Sequence, residues 1–375
     1  MQPAPHLHQH DQGATGAMAS KKLIFVIAMI PVRAQNLAAA LCSMYTVRTF
    51  PDGGAALQAM LKNAPDAVVI DERTLRSQGH GIHKTKLQNS RLKMVPFVIM
   101  SDATEGELVL GDDEAAMDIF IKRPFNVNYL FEQIAYAISQ SIERSWKSLP
   151  PSANRTLKST ADQFKNIAKA LATNTPLTKE DTQGGCNPLV KCVRANEHRY
   201  VLEGLRDHHN FTYVHSMRVA VFMSVFGQAC QISDDEMLLL STCGFLHDVG
   251  KMVMPQTLLN KEGKLDQGEW GVMQNHVKHS HAIVGAIDDI NPSITLVAEQ
   301  HHERIDGTGY PRGLRGGQIN ELGRMAAVAD TFAGLTDKRP YRRAFDANAA
   351  FSIMGQMNGA LDQNLVRTFR EVIEA

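Results

Sequence analysis

The chain has 375 residues, enough for two domains and a helical spacer, and its 39 Lys and Arg balance 39 Asp and Glu at a pI near 7.3. That balance excludes a dominant electrostatic attraction to a nucleic-acid polymer or a membrane surface, but leaves room for a local basic pocket. Five cysteines (Cys42, Cys186, Cys192, Cys230 and Cys243) form no CxxC pair and are odd in number, which reads as a reduced, cytoplasmic chain with Cys186 and Cys192 as free thiols.

Residues 1–20, "MQPAPHLHQHDQGATGAMAS", are polar and include His6, His8 and His10; they read as a disordered tail rather than a signal peptide. From 21 to 140, four apolar runs ("LIFVIAMI", "DAVVID", "VPFVIM" and "DIFIKRPF") are separated by helical patterns such as "GGAALQAMLKNA". Strand–helix alternation predicts a doubly wound parallel α/β sheet. No apolar run is long enough to span a bilayer. The stretch resembles a response-regulator receiver domain. Asp71 after "VVI" matches the phosphoacceptor, Ser101 after "FVIM" the small hydroxyl residue, and "KRPF" the Lys-Pro turn with one residue out of place. The acidic pair that receivers carry after the first strand is replaced by "IAMIP". Phosphoryl transfer to Asp71 then lacks the cation that offsets charge on the phosphoryl oxygens. The resemblance therefore implies a degenerate receiver-like domain with Asp71 as a vestigial phosphoacceptor and a structural or dimerising role. Asp112 and Asp113 read as part of a solvated loop.

Residues 141–195 read as a helical linker. "LPPSANR" at 149–155 is a break, and "TLKSTADQFKNIAKALA" places Leu157, Phe164, Ile167 and Leu171 at helical spacing. From 196 to 375 the pattern is helical, which predicts an all-α second domain.

Metal-capable residues recur through that domain. His215 lies in "TYVHSMRVAVF", His247 and Asp248 in "GFLHDVGK", His276 in "VMQNHVKHS", His301 and His302 in "HHERIDGTGYP", and Asp330 ends "MAAVAD". One histidine on an apolar helix is usually a hydrogen-bonded core residue. A set of imidazoles and carboxylates at the middles and ends of several apolar helices is too costly to bury without partners or metal. With no thiolate in the set, it suits iron, manganese, nickel or zinc with open positions rather than a closed structural zinc. An Asp can bridge two ions, and two ions about 3.5–4 Å apart suit phosphoester hydrolysis.

Residues 200–372 resemble the HD-GYP domains of the HD metal-dependent phosphohydrolases, on "HSMRVA", "LHDVGK", "HHERIDGTGYPRGL" and "AVADTFAGLTDKRPYRRA". The resemblance implies an all-helical hydrolase with two divalent transition-metal ions, iron or manganese favoured. It opens cyclic di-GMP to linear pGpG, with GMP as a further product. His215, His247, Asp248 and Asp330 would hold one ion. Asp248 would bridge to a second, completed by His276, His301 and His302. Lys251 would approach the scissile phosphate, Tyr310 would touch the ligand, and Arg339 and Arg342 would grip guanine or phosphate. Asp306 and Gly307 read as shaping the turn; His198, His208, His209, His279 and His281 read as non-ligands and Arg343 as a solvated charge. The GYP loop is a candidate surface for diguanylate cyclase domains, and a homodimer is compatible with the receiver and the helix near 157–171. Where some members carry a third-metal glutamate, four residues before the first histidine, this chain has Phe211, which implies two metals and leaves the pGpG-to-GMP step in question. Ala333 stands where most members have an aspartate, removing an acidic support near Asp330. Two other functions fit the same residues: a slow or inactive cyclic-dinucleotide receptor, and a hydrolase of a related nucleotide such as cyclic GMP-AMP.

Overall fold

A computed structural model describes residues 21–75, 80–102, 118–208, 210–259, 261, 263–337 and 344–374. The tail 1–20, Asp112, Asp113, His209, Arg339, Arg342 and Arg343 lie outside the described residues. The chain divides into two compact units, Ser20–Ser145 with Asp207–Asn210, and Trp146–Arg206 with Phe211–Ala375.

The first unit is a parallel five-stranded sheet of β1 (Leu23–Ile27), β2 (Thr46–Phe50), β3 (Ala67–Asp71), β4 (Phe97–Ser101) and β5 (Ile119–Lys122), in the order β2-β1-β3-β4-β5. This is the doubly wound order whose ligand crevice lies at the carboxyl ends of the strands. Its helices are α1 (Pro31–Leu41), α2 (Gly53–Lys62), α3 (Glu72–Thr74), α4 (His80–Gln88) and α5 (Val127–Ser145). Alternate residues of each central strand feed opposite cores: Ile24, Val26, Val69 and Val98 on one face, Phe25, Ile27, Val68 and Phe97 on the other. Burial on both faces explains why these strands read as unbroken apolar runs. The sequence reading missed β2. It is an edge strand, "TVRTF", in which only Phe50 is buried, so it carries no apolar run.

The second unit is helical: α6 (Pro151–Ala172), α7 (Lys179–Gln183), α8 (Cys186–Arg194), α9 (His198–Leu205), α10 (Phe211–Ala229), α11 (Asp234–Leu246), α12 (Gln256–Leu259), α13 (Gln267–Gly285), α14 (Pro292–Gln300), α15 (Glu321–Thr336), α16 (Ala347–Gln356) and α17 (Gln363–Glu374). The stretch expected as a linker up to 195 does not stand apart. Its apolar positions Leu157, Ile167, Leu189, Val190 and Val193 are buried, and from Trp146 onward it packs within this unit. Cys186 and Cys192 are free thiols, as expected, but they are core residues of α8.

The helices that matter most begin with local signals. Ser233 and Glu236 form a capping box before α11, as do Asp266 and Glu269 before α13; Asn291 with Pro292 opens α14 and Asn320 opens α15. Two glycines allow close approach. A Cβ at Gly244 would meet Ala220 Cα at 2.7 Å, so α11 lies directly on α10. A Cβ at Gly250, in the 3₁₀ turn Val249–Val253, would meet His276 O at 2.2 Å and Ser280 N at 2.5 Å on α13. Gly250 N also donates to Ser280 Oγ at 2.8 Å. Gly250→Ala is expected to cost about 1–3 kcal/mol by overpacking and to weaken divalent-metal binding, because the turn that carries Asp248 is pushed off α13. Urea unfolding and metal titration of the variant check this; wild-type values in both would refute the packing argument.

Candidate metal centre

Seven residues from five segments meet in the second unit. His215 lies mid-α10. His247 ends α11 and Asp248 follows it. His276 is on α13, His301 and His302 end α14, and Asp330 is on α15. Their donor atoms fall into two groups, His215, His247 and Asp330 in one, and Asp248, His276, His301 and His302 in the other, each with its atoms within 4.8 Å of one another.

Asp248 divides its carboxylate between the groups. Oδ2 lies 3.2 Å from His247 Nε2 and 3.5 Å from His215 Nε2; Oδ1 lies 3.2 Å from His276 Nε2 and 3.7 Å from His301 Nε2. His302 Nδ1 is 3.8 Å from Asp330 Oδ2. Three imidazoles are held in the same way, with Nδ1 at a main-chain carbonyl about one helical turn back: His247 to Gly244 O at 2.7 Å, His276 to Met273 O at 2.6 Å, and His301 to Ala298 O at 3.1 Å. A carbonyl accepts only, so each Nδ1 carries the proton and each Nε2 presents its lone pair to the centre.

Those Nε2 atoms and Asp248 Oδ1 are buried and make no hydrogen bond among the described residues. Each such buried group costs about 1–3 kcal/mol. Acceptor atoms facing one another at 3.2 Å need a cation between them, and the imidazole–carboxylate set suits a divalent transition metal. The residues present therefore fit two ions, with Asp248 placed to serve both.

At the two carboxylates and at His301 and His302 the charge states agree with this. Burial alone would raise the Asp248 carboxyl, but Lys251, His247 and His276 outweigh it and hold it well below the usual carboxylate range. Asp330 is likewise held low, by His215 and His302 against burial. Burial pushes His301 down to about 4 and, with His301 beside it, pushes His302 down as well. Burial would lower His215 too, but Asp330 and Asp337 raise it to about 9. The centre thus combines ionised carboxylates with neutral imidazoles on the α14 side.

Among the candidate substrate residues, Lys251 Nζ pairs with Asp248 Oδ2, with its side chain a fifth exposed. The ring of Tyr310 stacks on His302, with centroids 4.8 Å apart, and meets Trp270 edge-on at 6.1 Å. Asp306 shapes the turn, accepting from Thr308 N at 2.9 Å, and Gly307 has φ +79°. His279 and His281 are exposed on α13, away from the buried set. Phe211 opens α10 and is 41% exposed. Ala333 is fully buried.

Two residues were missed by the sequence reading. Glu303 is buried and accepts from Arg312 N at 2.7 Å and Leu314 N at 2.9 Å, tying the GYP loop to the end of α14. The acidic third residue of "HHE" was its only signal. Asp337 accepts from His215 Nδ1 at 2.9 Å across 122 residues, and no local pattern marks it.

In the first unit Asp71 is buried at the carboxyl end of β3. It pairs with Arg33 at 3.1 Å and Arg123 at 2.7 Å, and accepts from Arg73 N at 3.0 Å. Burial would raise its pKa, but Arg123 first and the other donors after it bring it below the ordinary value. Arg123 precedes Pro124, and Ser101 donates to Glu72.

Residues 200–365 match the family model described as HD domain. This part of the chain is similar to HD domains. HD-domain phosphohydrolases depend on divalent metals, and the two donor groups lie inside the matched range. Similar proteins include a cyclic di-GMP phosphodiesterase of Pseudomonas aeruginosa, 35% identical over 45% of this chain and 41% of that protein. A 3′3′-cGAMP-specific phosphodiesterase of Vibrio cholerae is 34% identical over 44% of this chain and 35% of its own length. A cyclic di-GMP phosphodiesterase of Thermotoga maritima is 28% identical over 75% of this chain and 71% of its own. The chain thus spans under half the length of the first two. Among the described residues, no helix is long and apolar enough to cross a membrane.

Proposed function

We propose that the HD domain hydrolyses one phosphodiester bond of cyclic di-GMP to give linear pGpG. The carrying observation is the Asp248 carboxylate shared between two buried imidazole groups, in which the Nε2 atoms of His247, His276 and His301 make no hydrogen bond among the described residues. His215, His247, Asp248 and Asp330 would hold one ion, and Asp248, His276, His301 and His302 the other; iron and manganese suit the set best, with nickel and zinc behind. Bound there, two such ions supply Lewis acidity toward the phosphate and lower the pKa of water.

The chain's own residues do the rest. Water adds to phosphorus, the P–O3′ bond breaks and the 3′ oxygen takes a proton. The Lys251 ammonium, beside the shared carboxylate, stabilises the negative oxygens of the transition state. Tyr310, fixed by stacking on His302, forms a wall for the ligand. Arg339 and Arg342 would grip guanine or phosphate with their planar forks. Phe211, which cannot coordinate, keeps the site at two ions and makes pGpG the accumulating product. The exposed part of the GYP loop is the surface given to diguanylate cyclase partners.

A metal-resolved product assay tests this: apo-protein loaded separately with iron(II), manganese, nickel and zinc, bound ions counted, and products from cyclic di-GMP separated. Two ions and pGpG are expected. Tight ligand binding without turnover in any metal would instead mark a receptor. The similarity to a 3′3′-cGAMP-specific enzyme favours one second substrate, so cyclic GMP-AMP belongs in the same assay.

For the first unit we propose that Asp71 accepts no phosphoryl group. Its charge is already met by Arg33 and Arg123, and Met29 and Ile30 stand where a magnesium-holding acidic pair would be. Incubation with acetyl phosphate and magnesium is expected to leave the intact mass unchanged; a stoichiometric phosphoryl adduct on Asp71 would refute it.

A further inference from the structure

We propose that Asp337 is a positioning residue for the metal centre: it fixes the ring of His215 so that Nε2 faces the ions. The inference rests on the metal-site reading above. His247, His276 and His301 are each oriented by a main-chain carbonyl of their own helix. His215 is not; its Nδ1 meets Asp337 Oδ2 at 2.9 Å, and its Nε2 then points at Asp330 Oδ1, also 2.9 Å away.

Asp337 is suited to the task. It caps α15 with its own N–H on Ala333 O at 2.8 Å, so it sits one helical turn beyond Ala333. Its side chain is only 10% exposed, and its second oxygen pairs with Arg218, one turn along α10 from His215. Arg218 in turn bonds Thr336 Oγ1 at 2.7 Å, so the carboxylate is braced from both helices. A carboxylate on the far nitrogen of a ligand imidazole sets its tautomer and increases its basicity toward metal.

The test is manganese(II) titration of the metal-free full chain against a competing chelator, for wild type, Asp337→Asn and His215→Ala, with thermal unfolding of each metal-free protein. An amide at 337 can offer its NH₂ to Nδ1 and so favours the wrong tautomer. Asp337→Asn is expected to weaken one of the two ions about 10–100-fold, the same ion that His215→Ala weakens, with a wild-type unfolding midpoint. Wild-type affinity for both ions, or equal weakening of both together with a lowered midpoint, overturns the positioning role. If Asp337→Asn does not fold, ¹⁵N NMR of the zinc-loaded wild type decides: a protonated Nδ1 on His215 is expected, and an unprotonated one overturns the proposal. Wild type that takes up no ion removes the metal-site reading itself, an outcome distinct from failure of Asp337 alone.

Discussion

Asp248→Asn is expected to leave a folded protein that binds neither ion and does not hydrolyse cyclic di-GMP. The amide keeps the shape of the side chain but has one weak oxygen donor where the carboxylate presents two charged ones. Both donor groups depend on that residue, through Oδ2 at 3.2 Å from His247 and Oδ1 at 3.2 Å from His276. Loss of a single outlying ligand such as His302, 3.8 Å from Asp330, would weaken one ion only. Asp248→Ala removes the shape as well. It leaves Lys251 without its carboxylate in a site where Asp248 is 1% exposed, and is expected to destabilise the apo-protein by about 3 kcal/mol. Metal analysis after dialysis, product chromatography and chemical unfolding read these three quantities separately. An Asp248→Asn protein that retains two ions per chain would break the assignment.

Lys251→Met is expected to separate chemistry from metal binding. Lys251 is the only described side-chain ammonium or guanidinium paired with Asp248, and its partial exposure puts it at the border between the buried donors and solvent. Methionine keeps most of the stem and removes the charge. Both ions should remain, because no donor atom is lost. The turnover number should fall about 10²–10³-fold, the usual consequence of deleting one stabilising donor to a developing oxyanion, with KM changing much less. A fall in KM affinity with unchanged turnover would instead assign Lys251 to ground-state binding. Unchanged kinetics would leave it as a partner of Asp248 and nothing more.

The sequence alone determined much of this protein, and for a physical reason. β1, β3 and β4 are legible because burial on both faces demands continuous apolar runs, and burial is written residue by residue; β5 is an edge strand in which only Ile121 is buried, and it is legible through its apolar residues Ile119, Phe120 and Ile121. The seven metal-centre candidates are legible because each lies within or at the end of a helical segment as a group that is costly to bury, so its presence announces a partner even when the partner is unknown. Asp306 and Gly307 are legible as turn formers because a positive φ and an aspartate bonding two residues ahead are local matters. β2 was not, because an edge strand buries one face in part and needs no run.

Only the tertiary structure decided which donors face which. That Asp248 turns one oxygen to α10 and α11 and the other to α13 and α14 depends on Gly244 and Gly250 letting backbones approach, a contact energy with no local signature. The pairing of His215 with Asp337 spans 122 residues, and that of Asp71 with Arg123 spans 52. Periodicity and motif spacing report a residue's environment along its own helix or strand. They are blind to the hydrogen bonds and ion pairs that form only when distant segments pack, and those interactions orient the imidazole of His215 and occupy the carboxylate of Asp71.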